Sequence, residues 1–481
     1  MVSRLIAFIL TPFYSRALPV AGNGILTAMY VYASAINAIL SFGMETTFFR
    51  YLNKHENNKQ QVYNNAFGAV IALCVVFLAF SLLFLDSIIK GLLAGATQDY
   101  TDYSFYVKCF LFILVTDAFC VIPFAKVRAD GRPLRYGMIK FLNILLVLVL
   151  NLFFLFAIPY IIKHQILNYQ WFASWYRPKW VGYVFLSNSI ASIATIFLLL
   201  PEISKLRFKF NGVMFKEMFI YSWPILIANI SFIINETIDK AMLKQMLPAN
   251  ISDHEVGIYG MCGKIAIFLS IFVQAFRLGA EPFFFSHAKN KNAGETYARI
   301  MNYFVIMVAI ICVAVVANIN ILGYIIVGKD TPGNAYWSGI GVVPLLLFGY
   351  LSLGIYMNLS IWYKLSDQTK YGLYISGIGA ILTIALNWAF IPKYSYMASA
   401  WISLAAYATM MILSYLWGQK NYPIPYNIKK NVAYIIISAV LVYLSFSVFK
   451  RNIFIGNGLL ILFGLGALYN ERKELKAIFN R

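Results

Sequence analysis

The sequence predicts an all-α polytopic membrane protein of about fourteen transmembrane helices, on its hydropathy, the spacing of its apolar runs and the placement of its basic residues. Hydrophobic residues make up 61% of the chain and charged residues 12%, where a soluble domain carries about 25% charged residues. Mean hydropathy is +0.71. Crossing roughly 30 Å of hydrocarbon takes about 20 helical residues, and runs of that order follow one another from end to end. They lie near 5–18, 24–48, 66–89, 103–124, 137–161, 181–200, 219–242, 256–284, 301–327, 337–362, 371–391, 397–417, 432–449 and 453–469. The gaps, of which "KHQILNYQWFASWYRPKW" and "PEISKLRFKFNGVMFKEM" are the longest, leave no room for a soluble domain.

A formal net charge of +20 invites a nucleic-acid reading, but its distribution is a topology signal. Gaps after even-numbered spans, with the tail, hold about 23 Lys and Arg, and those after odd-numbered spans about 8. The positive-inside rule then places both termini in the cytoplasm, and no nucleic-acid partner is expected. Cys74, Cys109, Cys120, Cys262 and Cys312 fall in apolar spans without C-x-x-C spacing and read as small buried thiols. The four histidines are scattered in loops. No metal site or cofactor is expected.

The chain repeats itself. "GMETTFF" at Gly43 returns as "GAEPFFF" at Gly279, 279 − 43 = 236 residues on. "KVRADGRPLRYG" ending at Gly137 is echoed by "KLSDQTKYG" ending at Gly372, an offset of 235, and "LNLFFLFAIP" around Asn151 by "LNWAFIP" around Asn387, an offset of 236. Three matches at nearly one offset mark an internal repeat. Spans one to six correspond to seven to twelve. Both G-x-E-x-x-F-F copies run into basic loops, so the halves are parallel and related by an axis along the membrane normal. The expected organisation is a first lobe over 1–200, a cytoplasmic linker over 201–218, a second lobe over 219–418, and spans thirteen and fourteen with a tail over 419–481. Two such bundles with a cleft between them are the architecture of an alternating-access transporter.

Charges inside the spans are the candidate site, because an ion at mid-bilayer costs a few kcal/mol and usually faces a cavity. Arg4 and Arg16 lie on the first span, Glu45 at the end of the second, and Asp117 on the fourth. On the seventh, Glu236, Asp239 and Lys240 stand at i, i+3 and i+4, one helix face. The eighth carries Lys264, with Arg277 and Glu281 at i, i+4. Arg277 with Glu281 also reads as a structural ion pair, and Glu45 as a cap near the interface; Lys108 and Lys140 read as snorkelling residues. The cations Arg4, Arg16, Lys240, Lys264 and Arg277 suit a phosphate or carboxylate on the cargo. The carboxylates Glu45, Asp117, Glu236, Asp239 and Glu281 are candidates for ion pairing or for coupling to H+ or Na+.

"SRLIAFILTPFYSR" (3–16), "GMETTFFR" (43–50), "ETIDKAML" (236–243), "QAFRLGAEPFFF" (274–285), "NLSIWYKLSDQTKYG" (358–372) and "GQKNYPIPYN" (418–427) resemble bacterial polysaccharide flippases of the Wzx type, in the MOP superfamily. The Ser-Arg start and second arginine are more distantly similar to the MurJ-type lipid II flippases. The resemblance covers nearly the whole chain. It implies a MATE-like fold of two six-helix lobes forming a V, no enzymatic activity, and an undecaprenyl-pyrophosphate-linked oligosaccharide moved from inner to outer leaflet for surface polysaccharide such as O-antigen or capsule. It also implies cationic cavity residues, here Arg4, Arg16 and Arg277, that meet the pyrophosphate. Membrane lipids and a polysaccharide polymerase are the implied partners. Lys240 stands where arginine is expected, and the first helix, about 14 residues from Leu5 or roughly 21 Å, is short enough to indicate a late start. The competing readings are a multidrug cation antiporter, which calls for a more acidic cavity, and a membrane polysaccharide polymerase, which calls for a large extramembrane loop with catalytic acids.

Overall fold

A computed structural model describes residues 2–93, 99–207, 209–287, 290, 292–366, 368 and 370–479, excepting the side chains of residues 2–9, 53, 56, 228, 232, 278, 281, 282, 285, 286 and 473–479. The described residues form helices and connecting turns, with no strand among them. In order the helices are α1 (Val2–Ala17), α2 (Val20–Ser41), α3 (Met44–Lys54), α4 (Lys59–Leu83), α5 (Leu85–Leu93), α6 (Tyr100–Ala129), α7 (Pro133–Leu152), α8 (Ile158–His164), α9 (Tyr169–Trp175), α10 (Gly182–Ile203), α11 (Gly212–Met246), α12 (Ala249–His287), α13 (Ala293–Ala317), α14 (Ile319–Val327), α15 (Val342–Leu359), α16 (Ile361–Leu365), α17 (Lys370–Asn421), α18 (Ile428–Tyr443) and α19 (Ile453–Phe479).

Twelve helical stretches among the described residues are long and apolar enough to cross a membrane. One of these, α17, has 52 residues and a non-helical break at Ser395 (φ 49°, ψ −140°), so it supplies two spans. Adding α1, with 16 residues, accounts for the fourteen spans that hydropathy predicts. Large apolar side chains face outward along these helices. On α4, Val76 is 67% exposed and Leu83 81%, an arrangement that water would penalise and lipid favours.

The chain divides into two compact units, Val2–Gly257 and Ile258–Arg481, with the division inside α12. In the first unit α6 packs on α10 and α4, α7 packs on α10, and α2 packs on α11. In the second, α15 packs on α17, and α13 packs on α15, α18 and α19. The segment joining α10 to α11 is tied to α4 by side chains that satisfy its backbone. Gln60 donates to the Lys205 carbonyl (2.7 Å), Arg207 N–H donates to Asn64 Oδ1 (3.1 Å), and Asn65 exchanges two bonds with the Asn211 backbone (3.0 and 2.9 Å). The Asn211 side chain in turn caps α11, accepting from the N–H groups of Val213 and Met214 at 3.1 Å each. Of the expected linker, 204–207 and 209–211 are the described non-helical part.

Two local features of the first unit position everything that follows. The second span is broken between α2 and α3, where Phe42 (φ 48°) and Gly43 (φ 65°) are both left-handed. Glycine suits Gly43 twice over, since a Cβ there would also lie 3.1 Å from the Ser222 carbonyl oxygen of α11. The Phe42 ring stacks on Phe219 at 5.0 Å between centroids, a contact that offsets some of the cost of a non-glycine residue in this region. Further along, α2 meets the start of α12 backbone to backbone. A Cβ on Gly24 would fall 1.8 Å from the Asp253 carbonyl oxygen, and one on Gly257 would fall 2.2 Å from that of Val20, so this is a small-residue crossing. Beside it Lys244 and Asp253 form an ion pair at 2.5 Å, with side chains only 4% and 6% exposed.

The repeat is visible in local structure. Asn151 and Asn387 are both buried, and each amide donates to the carbonyl four residues earlier, Val147 at 2.8 Å and Thr383 at 2.7 Å.

Candidate functional site

Ser34, Asn37 and Ser41 follow one another at intervals of three and four residues, which places them on one face of α2, and Glu45 of α3 joins them. Across the α2/α3 break that face lines a cavity of about 460 Å³ in the first unit. The opposite wall comes from Asp117 and Phe124 of α6, Lys140 and Asn143 of α7 and Thr195 of α10, with Asn229 of α11 completing it. Asp117 is twelve residues from the end of α6, about 18 Å along the helix, so the cavity reaches well into the membrane-spanning region.

The charges in and around this cavity come in couples. Glu45 accepts a hydrogen bond from the Arg128 guanidinium at 2.6 Å. That guanidinium also lies 5.1 Å from the Phe49 ring centroid and 4.9 Å from that of Tyr136, a cation–π clamp that fixes its direction. Asp117 accepts from Ser192 Oγ at 3.3 Å and shares the cavity wall with Lys140, whose ammonium sits 4.2 Å from the Phe124 ring centroid. Between the couples the wall is neutral and polar. The Asn143 amide nitrogen is anchored to Thr195 Oγ1 (2.9 Å) and the Ala191 carbonyl (3.1 Å). Asn37 Oδ1 is buried without a hydrogen-bond partner among the described residues.

The structure thus brings Glu45 and Asp117 to one cavity. Lys140, expected to be a snorkelling residue, lines it as well; this is a correction to the sequence reading, in which Arg128 counts only toward a basic loop and Asn37, Asn143 and Asn229 carry no signal. On α11, Lys240 Nζ bonds Asp239 (2.9 and 3.2 Å), the residue before it, and lies 3.5 Å from the Glu236 carbonyl, so this cation is engaged within its own helix. Arg16 is an exposed side chain on α1. In the second unit Lys264 is half-buried on α12, and Arg277 lines a small recess with Asn358 and Lys364. The side chains of Arg4 and Glu281 lie outside the described residues. No cluster of three or more potential metal ligands occurs among the described residues.

The second unit has cavities of a different kind. One of about 210 Å³ lies against Met301, Leu359 and Val432, and another of about 680 Å³ against Leu345, Phe348 and Trp401; both include Met411 and Ile435. Their walls are almost wholly apolar.

Known proteins match this architecture. The solved structure of the lipid II flippase MurJ in its inward closed conformation superimposes with a TM-score of 0.74 at 12% identity, over 98% of each chain. An inward-facing multidrug resistance MATE family transporter of the MOP superfamily gives 0.68 at 13% identity, over 90% of this chain and 96% of that one. A Vibrio cholerae MATE transporter gives 0.52 at 15% identity, over 87% and 92%. At these identities the likeness is one of fold. No curated protein sequence matches. A family model described as MatE matches residues 224–389, and one described as Polysaccharide biosynthesis protein matches residues 1–286. That second match spans more than half of the 481 residues, and the chain belongs to the polysaccharide biosynthesis protein family, built on the fold of a lipid flippase and of multidrug transporters.

Proposed function

We propose that this protein is a Wzx-type flippase that moves an undecaprenyl-pyrophosphate-linked oligosaccharide from the inner to the outer leaflet of a bacterial cytoplasmic membrane by alternating access, with no enzymatic step. The observation that carries this reading is a polar, membrane-embedded cavity in a member of a polysaccharide biosynthesis family. Arg4, Arg16, Lys240, Lys264 and Arg277 are the proposed contacts for the pyrophosphate, and the lobes over 1–200 and 219–418 the proposed moving bodies, with both termini cytoplasmic. An inside-negative potential favours outward movement of an anionic headgroup, by about 2.3 kcal/mol per charge per 100 mV. Glu45, Asp117, Glu236, Asp239 and Glu281 are the carboxylates from which a coupling site for H+ or Na+ would be drawn. O-antigen or capsule repeat units are the proposed cargo, and a polysaccharide polymerase the proposed downstream partner.

The test is to delete the gene in its source bacterium and locate the lipid-linked oligosaccharide by leaflet, complementing with wild type and with Arg277→Ala. Complete units are expected to accumulate on the cytoplasmic leaflet, with surface glycan restored by wild type and not by stably expressed Arg277→Ala. Units that reach the outer leaflet but stay unpolymerised would make the protein part of the polymerisation machinery instead. A multidrug antiporter is the second reading, favoured by the MatE match over residues 224–389. It predicts altered resistance to organic cations in the deletion strain and normal surface glycan.

A further inference from the structure

We propose that the cavity in the first unit is the subsite for the saccharide portion of the cargo, a charge-balanced, hydroxyl-recognising pocket distinct from the cationic residues assigned to the pyrophosphate. The inference rests on the flippase reading and names the part of the substrate that this site takes.

Charge balance comes first. Glu45 is neutralised by Arg128 at 2.6 Å, and Asp117 has Lys140 beside it on the cavity wall. A phosphate would need cations in excess. Two carboxylates beside two cations leave no such surplus. What such a wall offers is a set of fixed donors and acceptors that bind a neutral polar ligand without a net charge to compensate.

The donor and acceptor types fit hydroxyl groups. A sugar hydroxyl both donates and accepts, and amides and hydroxyls answer it in kind. Asn37, Asn143 and Asn229 supply amides, Ser34 and Ser41 hydroxyls, and Asp117 a carboxylate able to accept from two neighbouring hydroxyls at once. Asn143 is held by its nitrogen through Thr195 and Ala191, a pre-set orientation. Asn37 Oδ1 is the sharper sign. This oxygen lines the cavity with no protein partner among the described residues, an acceptor that an arriving hydroxyl can meet. The volume, about 460 Å³, lies in the usual small-molecule range of roughly 300–1,000 Å³.

The fold itself does not require this polarity. At the repeat offsets of 235 and 236 residues, Asp117 corresponds to Ser352 or Leu353 and Lys140 to Ile375 or Ser376, none of them charged. The second copy of the same helices therefore packs without the charged couple, so the couple in the first copy has a task other than packing.

The test uses full-length protein in nanodiscs and, as probe, the repeat-unit oligosaccharide released by mild acid from the source bacterium's lipid-linked precursor, titrated by calorimetry. Wild type is expected to bind the probe. Asn37→Ala and Asp117→Asn are expected to weaken binding about tenfold each, the loss of one or two hydrogen bonds, while inorganic pyrophosphate does not compete. If Asp117→Asn fails to fold, Ser41→Leu, which fills the cavity without removing a charge, reads the same loss. The proposal is overturned if wild type does not bind the oligosaccharide, if the cavity variants bind it as wild type does, or if pyrophosphate displaces it. Failure here with cytoplasmic accumulation of cargo in the deletion strain removes the subsite alone; normal cargo distribution in that strain removes the flippase reading itself.

Discussion

The two copies of the repeat have kept the same helices and filled them differently. In the first unit α2, α6 and α7 surround a cavity whose wall carries Glu45, Asp117 and Lys140 among amides and hydroxyls. In the second unit the counterparts are Ser352 and Ile375 at an offset of 235, or Leu353 and Ser376 at 236; Leu353 and Ile375 are buried in one apolar cluster with Tyr356, Trp362, Tyr363, Tyr407 and Met410. Helix order and the asparagines that bond back to the preceding turn survive in both, so polarity is free to vary while the scaffold stays. Glu45 keeps a carboxylate counterpart in Glu281, whereas Asp117 and Lys140 have uncharged ones, so these two charges are an addition to a frame that closes without them.

Moving the charge across breaks that contrast most severely. Leu353→Asp sets an unpaired carboxylate among aromatic and aliphatic side chains, at a cost of about 4 kcal/mol or more. We expect little monodisperse protein by fluorescence-detected gel filtration; a variant that melts like wild type would mean that the second unit accepts charge as readily as the first. Next in size is the buried Lys244–Asp253 pair, where removing one partner strands a charge. Lys244→Ala should cost about 3–5 kcal/mol, and the double variant Lys244→Leu/Asp253→Leu should recover most of it. A thermal melt of single and double variants in nanodiscs decides, since equal losses in both would show that the pair's own attraction, and not a stranded charge, is what matters. Glu45→Ala removes a pair that is 44% exposed on the Glu45 side and 32% on the Arg128 side, so its expected effect on the melt is about 1 kcal/mol or less. Smallest is Asn37→Leu, which deletes an unsatisfied acceptor and should leave stability within about 0.5 kcal/mol of wild type, or raise it. A large loss there would mean that Asn37 is structural and that the cavity wall is less specialised than the contrast between the units implies.

Most of the fold was legible because hydrocarbon imposes length and polarity on each span. The repeat was legible because Gly43 and Gly279, or Asn151 and Asn387, are conspicuous against an apolar background. The site was legible only in part. Glu45 and Asp117 stood out since a carboxylate within an apolar run is expensive, but Lys140, seven residues from the start of α7, looks in sequence like any lysine near an interface. Asn37, Asn143 and Asn229 cost too little to be conspicuous, and whether they face a cavity or lipid depends on helix rotation, which a uniformly apolar background does not fix. Arg128 was assigned to a basic loop, because nothing local in "AKVRAD" foretells a carboxylate 83 residues away. The pairing of Lys240 with Asp239 is likewise a rotamer choice, invisible in i, i+4 spacing.

The glycine crossing bears on how this family can be recombined. Gly24 and Gly257 accommodate one another across 257 − 24 = 233 residues, so they belong to opposite sides of any cut made in the 204–211 segment. A hybrid joining the front of this chain to the back of a relative inherits one glycine from each parent. Only a relative with comparably small residues at both places is a compatible donor, and exchanges are better made as whole inserts that leave α2 and the first turns of α12 with the same parent.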